Sequence, residues 1–304
     1  MKKPQITKLI INTIVTLTII AFLWLIIRPP LIKKQTPPSN TAYDTSRIVS
    51  MAPNLTELLF ALGLEKQIVA VTSESDFPPE AISLPKVGTF WQPNIEAIIA
   101  AKPTLVITLG FQQQSALAAQ LARIGCKTLS LNIESFPELF DGIETLGKVL
   151  DRRQQSAELL ERLRSACEKS TEKFKSPSPP KVLWVIQRQP LRVAGTETFA
   201  NDLIKFAGGQ NAIGKTINIY PPISDEQVIA SAPDIIIEPA DSPQDLQRLS
   251  ESAQQFYSRY RTIPAVRNKR IYVLYGDLIS RLGPRIDRGL AAVAGCLWPG
   301  SENE

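Results

Sequence analysis

The feature that most constrains the fold is a run of helical periodicity from residue 135 to residue 176. Ser135 and Glu138 form a capping box at its start, and Pro137 lies in the first turn, where proline is tolerated. The residues spaced as one helical face are Leu139, Ile143, Leu146, Leu150, Ala157, Leu160, Arg164 and Cys167. The pattern predicts one continuous helix, roughly 60 Å long. Such a helix is either part of a coiled coil or bundle, or a strut between two lobes.

The segments on either side of this run favour the strut, because each alternates apolar strands with helices. Residues 44–134 contain predicted strands at 47–51, 68–72, 104–109 and 127–131. Residues 177–304 contain predicted strands at 181–186, 234–238 and 270–274. Alternation of this kind is typical of mostly parallel sheets with helices on both faces. We therefore predict an α/β fold with two Rossmann-like lobes joined by a single long α-helix.

An internal similarity links the two predicted lobes. Residues 94–107 read NIEAIIAAKPTLVI and residues 225–237 read DEQVIASAPDIII, so each is a short capped helix, a proline and an apolar strand. Glu96 and Glu226 each lie seven residues before that proline. The coincidence favours two similar lobes over a chance match. Each glutamate also has a simpler explanation, because the helix dipole favours a carboxylate in the first turn.

The N-terminal segment accounts for the positive charge of the chain. The formal net charge is +5, but residues 1–43 hold six basic residues and no acid, which leaves 28 basic and 29 acidic residues elsewhere. The lobes therefore have no basic excess, which argues against nucleic-acid binding. Residues 9–27 are an uncharged apolar run long enough to cross a bilayer. They predict a transmembrane signal-anchor, with 1–8 as a cytoplasmic stub and 28–43 as a proline-rich tether; a cleaved signal peptide is the alternative.

Histidine and cysteine usage limits the chemistry open to the chain. The sequence has no histidine, which removes Ser-His-Asp and Cys-His catalysis in their usual forms and most zinc and non-haem iron sites. The spacing of Cys126, Cys167 and Cys296 matches no metal site, and their odd number leaves at least one free thiol. We predict neither a resident metal nor a cofactor.

A crevice between the lobes is the expected ligand site, because ligands of such folds bind at loops beyond the carboxyl ends of the strands. These loops are rich in aromatic, amide and arginine side chains, which suit a large, flat or polar ligand. For each aromatic residue, packing beneath its loop is the alternative explanation. The candidate ligand-binding residues are Pro53, Asn54, Glu74, Phe90, Trp91, Gln187, Tyr220, Asp277 and Arg281.

Several stretches of the chain resemble the helical-backbone (class III) substrate-binding proteins of ABC importers. The N-terminal lobe is represented by RIVSMAPNLTELLFALGLEKQIVAVTSESDFPPEA and VGTFWQPNIEAIIAAKPTLVI, and the C-terminal lobe by SDEQVIASAPDIII and GDLISRLGPRI. The resemblance extends over residues 47–298 and depends on the order and spacing of the motifs. Within this family, the vitamin B12 binders are the most similar group.

The resemblance implies a non-enzymatic monomer in the periplasm or at the cell exterior. The apolar run at residues 9–27, itself a departure from the family, predicts that this monomer is anchored in the inner membrane. It implies capture of cobalamin or a related corrinoid, or alternatively haem or a ferric siderophore. Delivery is to an ABC permease dimer with its ATPase subunits. Phe90 matches a corrin-stacking position with Trp91 beside it, Tyr220 matches another aromatic position, and Asp277, Arg281 and Arg285 match a polar signature. Glu96 and Glu226 match glutamates that dock onto arginines of the permease.

The chain also departs from the vitamin B12 binders. Glu74 and Leu278 stand where those proteins have an aromatic residue and a tryptophan. Ala207 stands where the partner of Cys296 would complete a disulfide, so the resemblance implies that this disulfide is lost. No cysteine follows the apolar run as a lipid attachment site, and the lack of histidine argues against the branch of the superfamily that binds metal ions directly.

Two other classes of function stay open from the sequence. An enzyme acting on a tetrapyrrole could use Glu74, Asp76 or Asp277 as acid–base carboxylates, but no pair stands at a defined separation and no nucleotide-binding motif is present. A membrane-tethered structural protein with an empty crevice is the third possibility. Ligand binding without turnover would distinguish the substrate-binding protein from the enzyme.

Overall fold

The computed structural model describes residues 43–240 and 242–300. The predicted stub 1–8, signal-anchor 9–27 and, apart from Tyr43, tether 28–43 lie outside the described residues. Within the described ranges, no helix is both long and apolar enough to cross a membrane.

The N-terminal lobe is built on a sheet of four parallel strands in the order β2-β1-β3-β4. Its strands are β1 (Ile48–Ser50), β2 (Ile68–Val71), β3 (Leu105–Leu109) and β4 (Thr128–Leu131). Its helices are α1 (Pro53–Ala61), α2 (Ile95–Ala100) and α3 (Gln112–Arg123), with 3-10 turns at Glu65–Gln67 and Pro79–Ser83. All five residues of β3 are buried, as expected for a strand covered on both faces. The predicted parallel α/β lobe is confirmed.

The C-terminal lobe has a second sheet in the order β6-β5-β8-β9, with a short β7 also paired to β5. Its strands are β5 (Lys181–Arg188), β6 (Leu191–Val193), β7 (Gln210–Asn211), β8 (Ile235–Ala240) and β9 (Ile271–Tyr275). Its helices are α6 (Phe199–Phe206), α7 (Asp225–Ser231), α8 (Leu246–Tyr257), α9 (Pro264–Arg267), α10 (Gly276–Ile279) and α11 (Ile286–Leu297), with a 3-10 turn at Pro243–Asp245. Only β6 is antiparallel to its neighbour. Strands β6 and β7, of three and two residues, have no counterpart among the predicted strands.

The prediction of one continuous helix over 135–176 is wrong, because two helices occupy this range. They are α4 (Phe136–Val149) and α5 (Arg153–Lys173). The break is at Asp151. Its φ of 54° is left-handed, a conformation that a right-handed α-helix cannot accommodate. The helices pack closely where they meet, since a Cβ on Gly147 would lie 2.0 Å from Ser156 Oγ. The linker between the lobes is therefore α5 alone, about 30 Å long.

The break also shifts the buried face of the linker helix. Ser156, Leu159, Leu163 and Cys167 are buried on α5, whereas the predicted face member Ala157 is exposed. Helix α5 packs against α4 on one side and against α6 and α11 on the other. One apolar cluster runs through these helices and includes Leu146, Leu163 and Leu290. The lobes are thus joined by a shared core as well as by a covalent linker.

Candidate functional site

A cavity of about 430 Å³ lies between the lobes, at the carboxyl ends of strands from both sheets. Seven of the nine predicted ligand-binding residues line this cavity: Pro53, Asn54, Glu74, Phe90, Trp91, Tyr220 and Arg281. Gln187 and Asp277 do not line it. Phe111 and Ile219 line it as well, although sequence reasoning did not single them out. Both belong to loops that follow strands, which is the only signal that would have found them.

Three aromatic rings form the wall that the N-terminal lobe gives to the cavity. Phe90 is central, because it makes edge-to-face contacts with both Trp91 and Phe111, at centroid distances of 4.7 Å and 6.1 Å. Such contacts stabilise aromatic pairs beyond the area they bury. Trp91 lines the cavity and is 65% exposed. Phe90 and Tyr220, contributed by opposite lobes, therefore offer two surfaces on which a conjugated ligand can stack.

A tight turn presents Phe90 to the cavity. Thr89 N donates to Gln92 O at 3.0 Å, and Gln92 N donates to Thr89 Oγ1 at 2.8 Å. Gly88 opens the turn with a φ of 90°, and a Cβ there would lie 2.5 Å from Gln92 O. The turn therefore requires glycine at this position. Glu74 Oε2 accepts a hydrogen bond of 2.9 Å from Phe90 N, so this carboxylate fixes the turn as well as lining the cavity.

Arg281 is the only basic residue among the described residues that line the cavity, and carboxylates surround it. Its guanidinium lies 2.8 Å from Asp76, 2.9 Å from Asp277 and 3.6 Å from Glu57. Burial alone would lower the pKa of Arg281, but the hydrogen bond with Asp76 and the charges of the other two acids raise it. Arg281 is thus charged and already neutralised by the protein.

Asp277 forms an ion pair with Arg281 but does not itself line the cavity. Its second oxygen, Oδ2, accepts a hydrogen bond of 2.6 Å from the Tyr275 hydroxyl, so the carboxylate is fixed from two sides. Burial, together with this hydrogen bond, raises the pKa of Tyr275 to about 12. Gln187 is exposed at the end of β5, where its amide donates to Gln189 O. The geometry therefore gives neither Asp277 nor Gln187 a direct place in the cavity.

A buried ion pair holds the two lobes together beside the cavity. Glu57 of α1 accepts two hydrogen bonds from Arg285, at 2.6 Å and 2.7 Å. The Arg285 guanidinium also lies 3.8 Å above the Phe77 ring, a cation–π geometry. Asn54 Nδ2 donates to Leu282 O at 3.0 Å, which adds a neutral bridge between the lobes. Bidentate pairing fixes orientation as well as distance, so these contacts set the width of the cleft.

Acidic side chains outnumber basic ones around the cavity. Glu74, Glu134 and Glu197 line it. Among the described residues only Glu197 of these three forms an ion pair, with Lys215 at 3.6 Å, which does not itself line the cavity. Tyr220 is half-buried, and burial together with the charge of Glu134 raises the pKa of its phenol. The cavity is therefore apolar and aromatic, with acceptor oxygens and without a free cation among the described lining residues.

The carboxylates considered for acid–base catalysis already serve structural contacts. Glu74 binds the Phe90 amide, while Asp76 and Asp277 bind Arg281. No group of three or more Asp, Glu, Cys or His residues that could hold a metal ion occurs within residues 43–240 and 242–300. The three cysteines are free thiols. This arrangement favours binding over acid–base chemistry.

Glu96 and Glu226 lie on the outside of the lobes, away from the cavity. Each is in the first turn of a helix whose N-cap side chain binds the backbone, Asn94 on α2 and Ser224 on α7. Three residues further on, Ile99 and Ile229 are 46% and 48% exposed. A left-handed residue, Lys102 or Ala232, follows each helix and directly precedes the proline. The repeated unit in the sequence is thus repeated in conformation and exposure.

Comparisons with known proteins agree with this architecture. A family model described as "Periplasmic binding protein" matches residues 48–278. The uncharacterized ABC transporter substrate-binding lipoprotein YvrC of Bacillus subtilis is 27% identical over 268 residues, 86% of this chain and 82% of that protein. The periplasmic vitamin B12 binding protein BtuF of Vibrio cholerae is 25% identical, with a TM-score of 0.71 over 83% of this chain and 96% of that structure. The periplasmic heme binding protein HutB of Vibrio cholerae is 26% identical, with a TM-score of 0.74 over 84% and 100%.

Proposed function

The chain belongs to the periplasmic binding protein family, and we propose that its interlobe cavity captures cobalamin or a related corrinoid for an ABC importer. The similarity to class III substrate-binding proteins, inferred from sequence motifs, is confirmed by the family match over residues 48–278 and by the likeness to BtuF. Membership of this family implies a location outside the cytoplasm. The ligand is inferred from the chemistry of the cavity.

The observation that carries the proposal is the charge around Arg281. Haem has two carboxylates, which need cationic or donor partners when they enter a cleft. Arg281 is already held by Asp76 and Asp277, and the other charged side chains that line the cavity are Glu74, Glu134 and Glu197. Cobalamin carries uncharged amides around its corrin ring. Carboxylates accept hydrogen bonds from such amides, so the acidic lining favours the corrinoid.

Iron coordination argues in the same direction. The chain has no histidine to ligate haem iron. Tyr220 is the only tyrosine among the described residues that line the cavity, and burial together with the charge of Glu134 raises the pKa of its phenol, which disfavours the phenolate that would ligate iron. A corrinoid brings its cobalt already enclosed in the ring, and the aromatic side chains Phe90, Trp91 and Tyr220 need only stack against it.

A competition experiment tests the choice of ligand. The purified full-length chain is mixed with equimolar cyanocobalamin, ferric haem and a neutral ferric hydroxamate siderophore, and the retained ligand is identified by absorbance and mass spectrometry after gel filtration. We expect cyanocobalamin to be retained. Retention of haem would contradict the charge argument, and retention of the siderophore would replace the corrinoid by another ligand without free carboxylates.

We also propose that Glu96 and Glu226 dock the loaded protein onto a permease dimer, one glutamate to each subunit. The support is the equivalence of the two helices, which places a carboxylate and an exposed isoleucine at the same offset on each lobe. Carboxylate–guanidinium pairs provide orientation and charge-assisted hydrogen bonds. Glu96→Ala with Glu226→Ala should abolish uptake and leave cobalamin affinity unchanged. The control pair Glu65→Ala with Glu251→Ala removes an exposed acid from each lobe and should leave both unchanged.

The apolar run at residues 9–27 supports a further proposal, that the lobes are tethered to the inner membrane. Alkaline carbonate washing of membranes from expressing cells should leave the chain in the pellet. Release of a protein shortened at its N-terminus would show instead that the segment is a cleaved signal.

A further inference from the structure

Two side chains bind the backbone of Phe90, and one of them, Gln114, does not line the cavity. Phe90 lies on a turn and not on a strand or helix, so neither the sheet nor a helix fixes its backbone. Its amide N–H is bound by Glu74 at 2.9 Å. Its carbonyl oxygen accepts a hydrogen bond of 3.1 Å from Gln114 Nε2. Both polar atoms of the Phe90 backbone are therefore bound by side chains from other parts of the lobe.

Gln114 connects two separate segments of the cavity wall. It lies in the first turn of α3 and is 2% exposed. The same Nε2 also donates to Met51 O at 3.1 Å, directly before the Ala52–Asn54 segment that lines the cavity. One amide group thus joins the loop after β1 to the turn that carries the aromatic wall.

The hydrogen bonds determine the orientation of the Gln114 amide. Both neighbours are carbonyl oxygens, which only accept, so the nitrogen must face them. The side chain is buried, and its amide nitrogen is shared between the two carbonyl oxygens. Gln114 thus serves both segments of the wall through hydrogen bonds as well as through packing.

We propose that Gln114 is a positioning residue that holds Phe90 in place for ligand stacking. It does not touch the ligand, because it lies behind the wall and does not line the cavity. Its effect on affinity rests on the proposed function, whereas its effect on the turn does not. Preorganised contact surfaces bind more tightly because less conformational freedom is lost on association.

The test uses Gln114→Met, which keeps the length of the side chain and removes its donors. Amide hydrogen exchange in the ligand-free chain should accelerate about tenfold at Thr89, Phe90 and Gln92, with other regions unchanged. The matched control is Gln112→Met, the same substitution at an exposed site of α3, and it should leave exchange unchanged. Unchanged exchange in the turn, or equal acceleration throughout the lobe, would overturn the proposal.

A double-mutant cycle separates positioning from general stability. Gln114→Met should weaken cyanocobalamin binding about tenfold in the wild-type background and have no effect in a Phe90→Ala background. Equal losses in both backgrounds would show that Gln114 does not act through Phe90, and would overturn the proposal. If the wild-type chain does not bind cyanocobalamin, the proposed ligand fails, and the exchange experiment alone decides the role of Gln114.

Discussion

The buried pair between Glu57 and Arg285 yields a quantitative prediction about how the lobes are held together. The Glu57 side chain is 2% exposed and that of Arg285 is 11% exposed, so solvent screens neither charge effectively. Glu57→Gln keeps the size of the side chain and one acceptor oxygen but removes the negative charge. Arg285 then stays buried over Phe77 with a weaker partner, and Arg281 loses one of its three carboxylates.

The magnitude follows from the cost of an unpaired buried charge. Removing one member of a buried ion pair typically destabilises a protein by about 3–5 kcal/mol. Because glutamine still accepts one hydrogen bond, we expect the lower end, about 3 kcal/mol in the free energy of unfolding. For a chain of this size, that corresponds to a fall in Tm of about 6–12 °C.

Thermal unfolding followed by circular dichroism measures this shift. The matched control is Glu65→Gln, an exposed acid on the same lobe, which should change the free energy of unfolding by less than about 0.5 kcal/mol. The double variant Glu57→Gln, Arg285→Met should lose less than the sum of the two single variants, because neither charge is then stranded. Equal melting temperatures for Glu57→Gln and Glu65→Gln would refute the reasoning.

Two further predictions concern the aromatic turn and the buried thiols. Gly88→Ala should destabilise the protein by at least about 1 kcal/mol, because Gly88 has a positive φ and a Cβ there would meet the Gln92 oxygen. The control Gly214→Ala, where a Cβ meets nothing within 4 Å, should be neutral or mildly stabilising. Urea denaturation measures both changes, and equal effects of the two substitutions would contradict this prediction. Burial raises the pKa of Cys296 to about 12, from an ordinary value of 9.0. The folded state thus holds the thiol proton more tightly, and stability should fall as pH rises from 9 toward 12. Cys296→Ser should make this fall shallower, and a slope identical to that of the wild type would contradict the assignment.

The sheets were predictable from the sequence because alternation of apolar strands with helices is a local pattern. The break in the interlobe helix was not, because the left-handed residue is Asp151 and neither glycine nor proline marks it. Leu150 and Ala157 are seven residues apart, which fits a continuous helix equally well. The structure instead buries Ser156 at the contact with Gly147, a packing detail that periodicity cannot supply.

The candidate site could likewise be predicted only in part from the sequence. The rule that ligands bind at strand ends brought Phe90, Tyr220 and Arg281 to one cavity. The roles of individual side chains depended on contacts between distant parts of the chain. Asn54 and Leu282 meet across 228 residues of sequence, and no local pattern indicates that pairing. The same holds for Gln114, whose partners are backbone carbonyls that can be identified only in the folded chain.

Isothermal titration of the purified full-length chain with cyanocobalamin tests the central claim most directly. We expect one ligand bound per chain, with affinity lowered about 30-fold or more by Phe90→Ala or Tyr220→Ala, since truncating a buried aromatic anchor costs about 2 kcal/mol. Ile82→Ala, an exposed apolar residue outside the cavity, should bind like the wild type. No binding by the wild type, or unchanged affinity in both aromatic variants, would contradict the assignment of the interlobe cavity as a corrinoid site.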